Sequence, residues 1–243
     1  MNKKTLMTAA ITALLTACAA APTAAPKPDK LTVLCTVTED WCVVQTKAFE
    51  AKTGIKTTFV RLSSGEAATK LAATKSNPEY SVWWGGPADG FVSAKSQGVL
   101  EAYKSPNAAK ISDKQKDPEG FWTGIYVGAL GLCSNSEELK KIGMAVPTSW
   151  NELLDPRLKG KFSVAHPATS GTSYTALWTE MTLMGFDEAK TFDYFKKLHS
   201  NVFQYTKSGA APAQTVGKGE AAVGIVFYMI AWPPLKAASR IWL

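Results

Sequence analysis

"IKTTFVRLSSGEAATKLAATKSNP", residues 55–78, decides how the chain is read. Its first part alternates polar and apolar residues, as a half-buried strand does. Ser63, Ser64 and Gly65 follow, and then Ala67, Ala68, Leu71 and Ala72 recur at helical spacing until Asn77-Pro78 stops them. A strand thus feeds a helix through a loop of hydroxyls and glycine. A helix start carries unpaired N–H groups and about half a positive charge, which suits an anion. The same residues also suit an ordinary helix cap.

The flanking segments repeat the unit. "KLTVLCTV" reads as a buried strand. "EDWCVVQTKAFEAKTG" reads as an amphipathic helix with Val44, Ala48 and Ala51 on one face and Gly54 as its stop. "SVWWGG" is a short strand, and "PADGFVSAKSQG" a helix with Pro87 in its first turn and Gly98 at its end. Strand and helix alternate three times, which predicts a parallel sheet covered on both faces. The loops "TVTED", "LSSGE" and "GGP" all follow strands, so they share the sheet edge where ligands bind. Trp83 and Trp84 alternate and face opposite sides: one is expected in the core, and for the other packing is preferred over lining a cleft.

The β-prone block "FWTGIYVGALGLCSN" is expected to carry the chain into a second lobe. There "SEELKKIG" reads as a capped helix. "PTSWNELLDPRLKGKFSVAHP" reads as a helix, a turn at Asp155-Pro156 and a strand from Lys161 to Ala165. "ATSGTSYTALWTEMTLMG", "FDEAKTFDYFKKLHS", "NVFQY", "TKSGAAPAQTVGKG" and "EAAVGIVF" read as loop–helix, helix, strand, loop–helix and buried strand. "ATSGTSY" mirrors "LSSGEA", so each lobe offers one hydroxyl-and-glycine helix start. The pair suits an anion gripped from both sides, with N-capping as the alternative for each loop alone.

The 243 residues, 46% hydrophobic and 19% charged, describe a globular chain with enough apolar content for one large domain or two modest ones. Net charge is +7, but the basic residues are scattered, so no nucleic-acid partner is expected. "MNKK" followed by apolar Leu6–Leu15 is a targeting segment too short to span a bilayer. "LTAC" then resembles a lipobox. Residues 1–18 read as a lipoprotein signal peptide, Cys18 as the lipidated residue, and 19–30 as a Pro/Ala tether. The alternative is a plain secretory signal cut among the alanines. In an exported chain Cys35 and Cys42 form the natural local disulfide, against three buried free thiols when Cys133 is included.

Several chemistries lack their residues. There is no nucleotide-binding glycine motif, no nucleophile elbow and no zinc spacing of Cys or His. His166 lies near Ser170, but no third member marks a catalytic set. His199 is expected at a helix end, facing the dipole. A secreted hydrolase or phosphatase is therefore disfavoured, and neither enzyme activity, cofactor nor metal is expected.

"RLSSGEAATKLAATKSNPEYSVWWGGPADGF", "PTSWNELLDPRLKGKFSVAHPATSGTSY" and "VGKGEAAVGIVF" resemble the extracellular solute-binding proteins of bacterial ABC importers. The similar branch includes ferric-iron, phosphorylated-sugar and aminoethylphosphonate receptors, and the likeness covers about Lys30 to Phe227. It implies an α/β, two-lobed periplasmic binding protein type II clamshell, with lobe 1 at 31–128 and lobe 2 at 129–227. It further implies a monomer, exported to the periplasm or cell surface, that takes a small anionic solute and delivers it to ABC permease subunits. Carried over residue by residue, the cleft positions are Ser63, Ser64 and Gly65; Trp84, Gly85 and Gly86; and Thr169, Ser170, Gly171 and Thr172. Thr36, Thr38, Lys207 and Ser208 join them. Ferric-binding members use adjacent tyrosines, whereas Tyr174, Tyr194 and Tyr205 are dispersed here. A phosphate or phosphonate monoester is the expected ligand, with a carboxylate as competitor.

Residues 228–243, "YMIAWPPLKAASRIWL", depart from the family pattern, which continues with Ser-His-Asp and a return to lobe 1. This tail reads as aberrant, from a truncation or a frameshift. The expectation is an incomplete C-terminus, open apolar faces on the first sheet, poor folding and weak binding.

Overall fold

The computed structural model describes residues 29–228 and 241–242. The signal peptide, Cys18, nearly all of the tether and most of the tail segment fall outside the described residues.

The first lobe follows the alternation read from its sequence. Strands β1 (Lys30–Cys35), β2 (Lys56–Arg61) and β3 (Val82–Trp84) form a parallel sheet in the order β2-β1-β3. Cys35 lies beside Arg61 on one flank and Trp84 on the other, which fixes a common carboxyl edge. Helices α1 (Glu39–Thr53), α2 (Ser64–Ala73) and α3 (Ala88–Ser96) each start a few residues past that edge. The core is small: Val33, Cys35, Val37 and Cys42 pack together, with Trp84 and Tyr126 against them. Val60 and Val82 remain 40% and 41% exposed.

Helix α1 presents a different face from the one expected. Cys42 and Thr46 are its buried residues, while Val44 is 61% exposed and Ala48 and Ala51 are also exposed. A disulfide joins Cys35 to Cys42 and turns that side of the helix inward. Thr46 stays there because its hydroxyl donates to the Cys42 carbonyl at 2.8 Å.

The second lobe adds β4 (Leu130–Asn135), α4 (Ser136–Lys141), β5 (Phe162–Ala165), α5 (Gly171–Leu183) and α6 (Glu188–His199). It continues with β6 (Val202–Thr206), α7 (Ala211–Gly217), β7 (Val223–Phe227) and β8 (Ile241–Trp242). The sheet order is β6-β5-β7-β4-β8. β5 runs parallel to β6 and β7, and β4 runs antiparallel to β7 and β8. One face buries Leu153, Leu158, Phe162, Leu198 and Ile225. The other buries Cys133, Ala213, Val216 and Val226 under α7.

Two local expectations are corrected. The segment before Asp155 is a single 3-10 turn, Asn151–Leu154, followed by another at Pro156–Leu158. Pro156 has no N–H to extend a helix, and the Asp155 carboxylate takes the Arg157 N–H instead. The strand then starts at Phe162 rather than Lys161. The β-prone block supplies only β4, and residues before it run irregularly along the space between the lobes.

Candidate functional site

The carboxyl edge of the first sheet and the helix starts of the second lobe enclose a cleft of about 1500 Å³. That exceeds the roughly 300–1,000 Å³ of common small-ligand sites. Part of the surplus extends over lobe 1 along Leu71, Tyr80, Phe121 and Ile125. Thr36, Thr38, Ser63, Ser64, Trp84, Gly85, Gly86, Ser170, Gly171, Thr172 and Ser208 all line the cleft. Gly65, Thr169 and Lys207 do not.

Two helix starts face one another across it. In α5 the first intrahelical donor is Tyr174, whose N–H reaches the Ser170 carbonyl at 3.0 Å. The N–H groups of Gly171, Thr172 and Ser173 precede it and have no helical acceptor. In α2 the first such donor is Ala67, bonded to the Ser63 carbonyl at 2.9 Å. A Cβ on Gly171 would lie 3.1 Å from the Ser64 hydroxyl, and one on Gly86 would lie 3.0 Å from both the Ser64 and Thr36 hydroxyls. The two helix starts and the β3 loop therefore meet at a single point. Glycine is required at Gly85 and Gly86 for a second reason, since their φ values are +87° and +101°.

Local hydrogen bonds separate free groups from engaged ones. The Ser63 hydroxyl and N–H both donate to one Glu66 carboxylate oxygen, at 2.7 and 3.2 Å, and the Ser63 side chain accepts the Glu66 backbone N–H in return, a capping box. Thr36 donates to the Gly85 carbonyl and accepts from the Trp83 indole N–H at 3.1 Å. The Trp pair departs from expectation: Trp83 and Trp84 are both half-buried and both line the cleft, with Trp83 stacked on Phe91 at 4.2 Å. The disulfide spans the loop that carries Thr36 and Thr38, tying it back to β1.

The residues outside the cleft lining connect the lobes. The Gly65 N–H donates to the Thr169 carbonyl at 2.9 Å. Thr169 in turn donates its hydroxyl to the Lys207 carbonyl at 3.0 Å. The Lys207 ammonium lies 2.7 Å from Glu66, a lobe-to-lobe ion pair. That ammonium, with help from Ser63, holds the Glu66 carboxyl down to about 2. His199 is not free at its helix end, because its Nδ1 meets the Tyr205 hydroxyl at 3.1 Å.

Three contributors escaped the sequence reading. Arg61, the last residue of β2, lines the cleft and donates to the Val37 carbonyl and the Ser208 hydroxyl, each at 3.0 Å. The Tyr126 hydroxyl accepts the Gly86 N–H at 2.8 Å and so fixes the glycine loop. Gly209 allows the Thr172 and Ser170 hydroxyls to approach, since a Cβ there would meet them at 2.0 and 2.8 Å. Only Arg61 had a signal in sequence: a cation directly before the hydroxyl-and-glycine loop.

A two-lobed α/β fold with facing helix starts in its cleft defines the class as a solute-binding clamshell. The chain belongs to the bacterial extracellular solute-binding proteins, whose family model matches residues 89–233. It is 42% identical over 221 residues to an uncharacterized protein of Haemophilus influenzae, covering 89% of this chain and 63% of that one. The periplasmic binding protein AfuA of Actinobacillus pleuropneumoniae, solved with exogenous fructose-6-phosphate bound, is 42% identical with a TM-score of 0.82. That match covers 88% of this chain and 68% of AfuA. The periplasmic binding protein P5PA is 36% identical with a TM-score of 0.78, over 83% of this chain and 64% of its own. The chain thus spans about two thirds of the length of these relatives.

Proposed function

We propose that this chain is the receptor of an ABC importer, exported to the periplasm, and not an enzyme. It captures a phosphate or phosphonate monoester, with a sugar phosphate preferred, between its lobes and presents it to a permease. The observation that carries this is the meeting of the α2 and α5 helix starts around Ser64, Gly86 and Gly171. The first N–H groups of α5, which have no helical acceptor, and the hydroxyls of both helix starts suit a phosphoryl group there. AfuA, bound to fructose-6-phosphate, supports the sugar-phosphate class. Lipid anchoring through Cys18 and a monomeric receptor complete the proposal.

Ferric iron is the weaker reading. Tyr194 is buried with its hydroxyl on the Trp150 carbonyl, Tyr205 contacts His199, and Tyr174 lies outside the cleft lining. A thermal-shift panel separates the readings, using fructose 6-phosphate, 2-aminoethylphosphonate, ferric citrate and free fructose. Stabilisation by the phosphoryl compounds alone is expected. Stabilisation by ferric citrate alone would overturn the proposal.

A further inference from the structure

The guanidinium of Arg61 has an unusual position for a half-buried charge. It belongs to a residue that lines the cleft, the last of β2. Its Nε donates to the Val37 carbonyl and one Nη to the Ser208 hydroxyl, each at 3.0 Å. Among the described residues, no carboxylate lies within 4.0 Å of it, whereas Glu66, Asp117, Glu138 and Asp155 all have cationic partners. An arginine carries five N–H donors in a planar fork, so three remain without an acceptor among the described residues. A charge removed from water without a counter-charge is costly unless something else supplies one.

The surroundings say what would supply it. Neutral donors make up the rest of the anion cradle: the Ser64 and Thr172 hydroxyls and the helix N–H groups. Helix starts and hydroxyls act on an anion through partial charges and dipoles, so they gain less from a second negative charge. A guanidinium brings a full positive charge, so its attraction gains most when the partner is doubly charged, and its fork matches two phosphoryl oxygens at once. Arg61 also contacts both lobes, through Val37 on one and Ser208 on the other. An anion taking its free donors would therefore be held where the lobes meet.

We infer that Arg61 is the specificity-determining residue of the cleft, selecting dianionic phosphate monoesters over singly charged and neutral analogues of the same shape. This rests on the phosphate-ester reading above. The test is calorimetric titration of the full chain with fructose 6-phosphate, its 6-sulfate analogue and free fructose, all at pH 8. Arg61→Gln and Arg61→Lys variants are titrated alongside.

The unchanged chain is expected to prefer phosphate to sulfate. Arg61→Gln should lose about 10- to 100-fold for the phosphate, the scale of charged hydrogen bonds, but only a few-fold for the sulfate. Arg61→Lys should keep the preference for phosphate while binding both esters more weakly. If Arg61→Gln does not fold, Arg61→Met takes its place, and a phosphate-to-sulfate ratio there equal to that of the unchanged chain overturns the inference. An equal phosphate-to-sulfate ratio in the unchanged chain and Arg61→Gln also overturns it and leaves the phosphate-ester reading standing. Absence of any phosphate-ester binding by the folded, unchanged chain overturns both.

Discussion

Replacing Gly65 by alanine sets two effects of one methyl group against each other. Gly65 is the second residue of α2, and alanine favours a helix interior over glycine by about 1 kcal/mol. The local helix should therefore gain slightly. Across the lobe boundary the new Cβ would sit 2.2 Å from the Ala168 carbonyl oxygen and 3.0 Å from the Thr169 Cα. Both are backbone atoms and cannot rotate away. Ordinary contact needs 3.4–4 Å, so the second lobe must retreat by about 1 Å. The Gly65 to Thr169 hydrogen bond, now 2.9 Å, would then pass beyond hydrogen-bonding range. The neighbouring Lys207–Glu66 pair at 2.7 Å and Arg61–Ser208 bond at 3.0 Å would stretch with it. One lost hydrogen bond costs about 1 kcal/mol, and a weakened ion pair adds less. Closure should be disfavoured by about 1–2 kcal/mol, and fructose 6-phosphate should bind about 5- to 30-fold more weakly. Calorimetry measures the affinity, and small-angle scattering with and without the ester measures closure. The thermal midpoint without ligand should stay level or rise slightly. Unchanged affinity together with unchanged compaction would refute closure through this contact.

Other outcomes follow from single groups. Glu66 is depressed from 4.5 to about 2, so its contribution is complete above pH 4.5 and is lost as the pH falls toward 2. Because Lys207 is mostly exposed, the contribution is about 1 kcal/mol. Melting curves of the parent and Glu66→Gln should therefore converge at low pH, and a constant gap would contradict the assignment. Cutting the Cys35–Cys42 bridge by Cys42→Ser should cost about 2–3 kcal/mol for so short a loop. It should also weaken ligand binding through Thr36 and Thr38, as read from melting and calorimetry. Burial pushes the Cys133 thiol up to about 12, so a thiol reagent at pH 8 should label it only after denaturation. Prompt labelling of the native chain would disprove its burial.

Much of the fold was legible because both lobes rest on short-range patterns. Alternation marks β2, helical spacing marks α2 and α6, and hydroxyl-glycine loops mark the starts of α2 and α5. What remained hidden depends on distant partners. Val44, Ala48 and Ala51 are spaced as an apolar face, yet the Cys35–Cys42 bridge selects the Cys42–Thr46 side. Arg61 stands directly before the hydroxyl-and-glycine loop, on the more buried face of β2 with Thr57 and Phe59, but nothing local says what it meets there. Its role appears only when the Val37 loop and Ser208, 147 residues further on, are brought beside it. Lys207 joined the cleft set only through the family likeness, and its pairing with Glu66 of the other lobe could not be read from its own segment. The 3-10 turns before β5 reflect Pro156 acting on a segment too short to form a helix.

The central claim is that one anion is gripped by helix starts from both lobes. Amide chemical shifts of the isotopically labelled chain, followed during addition of inorganic phosphate and then fructose 6-phosphate, test it most directly. The account predicts the largest shifts at Ser64, Gly86, Gly171, Thr172 and Ser173, saturating together with a single affinity. Shifts confined to one lobe, or centred on His166 and His199, would contradict it.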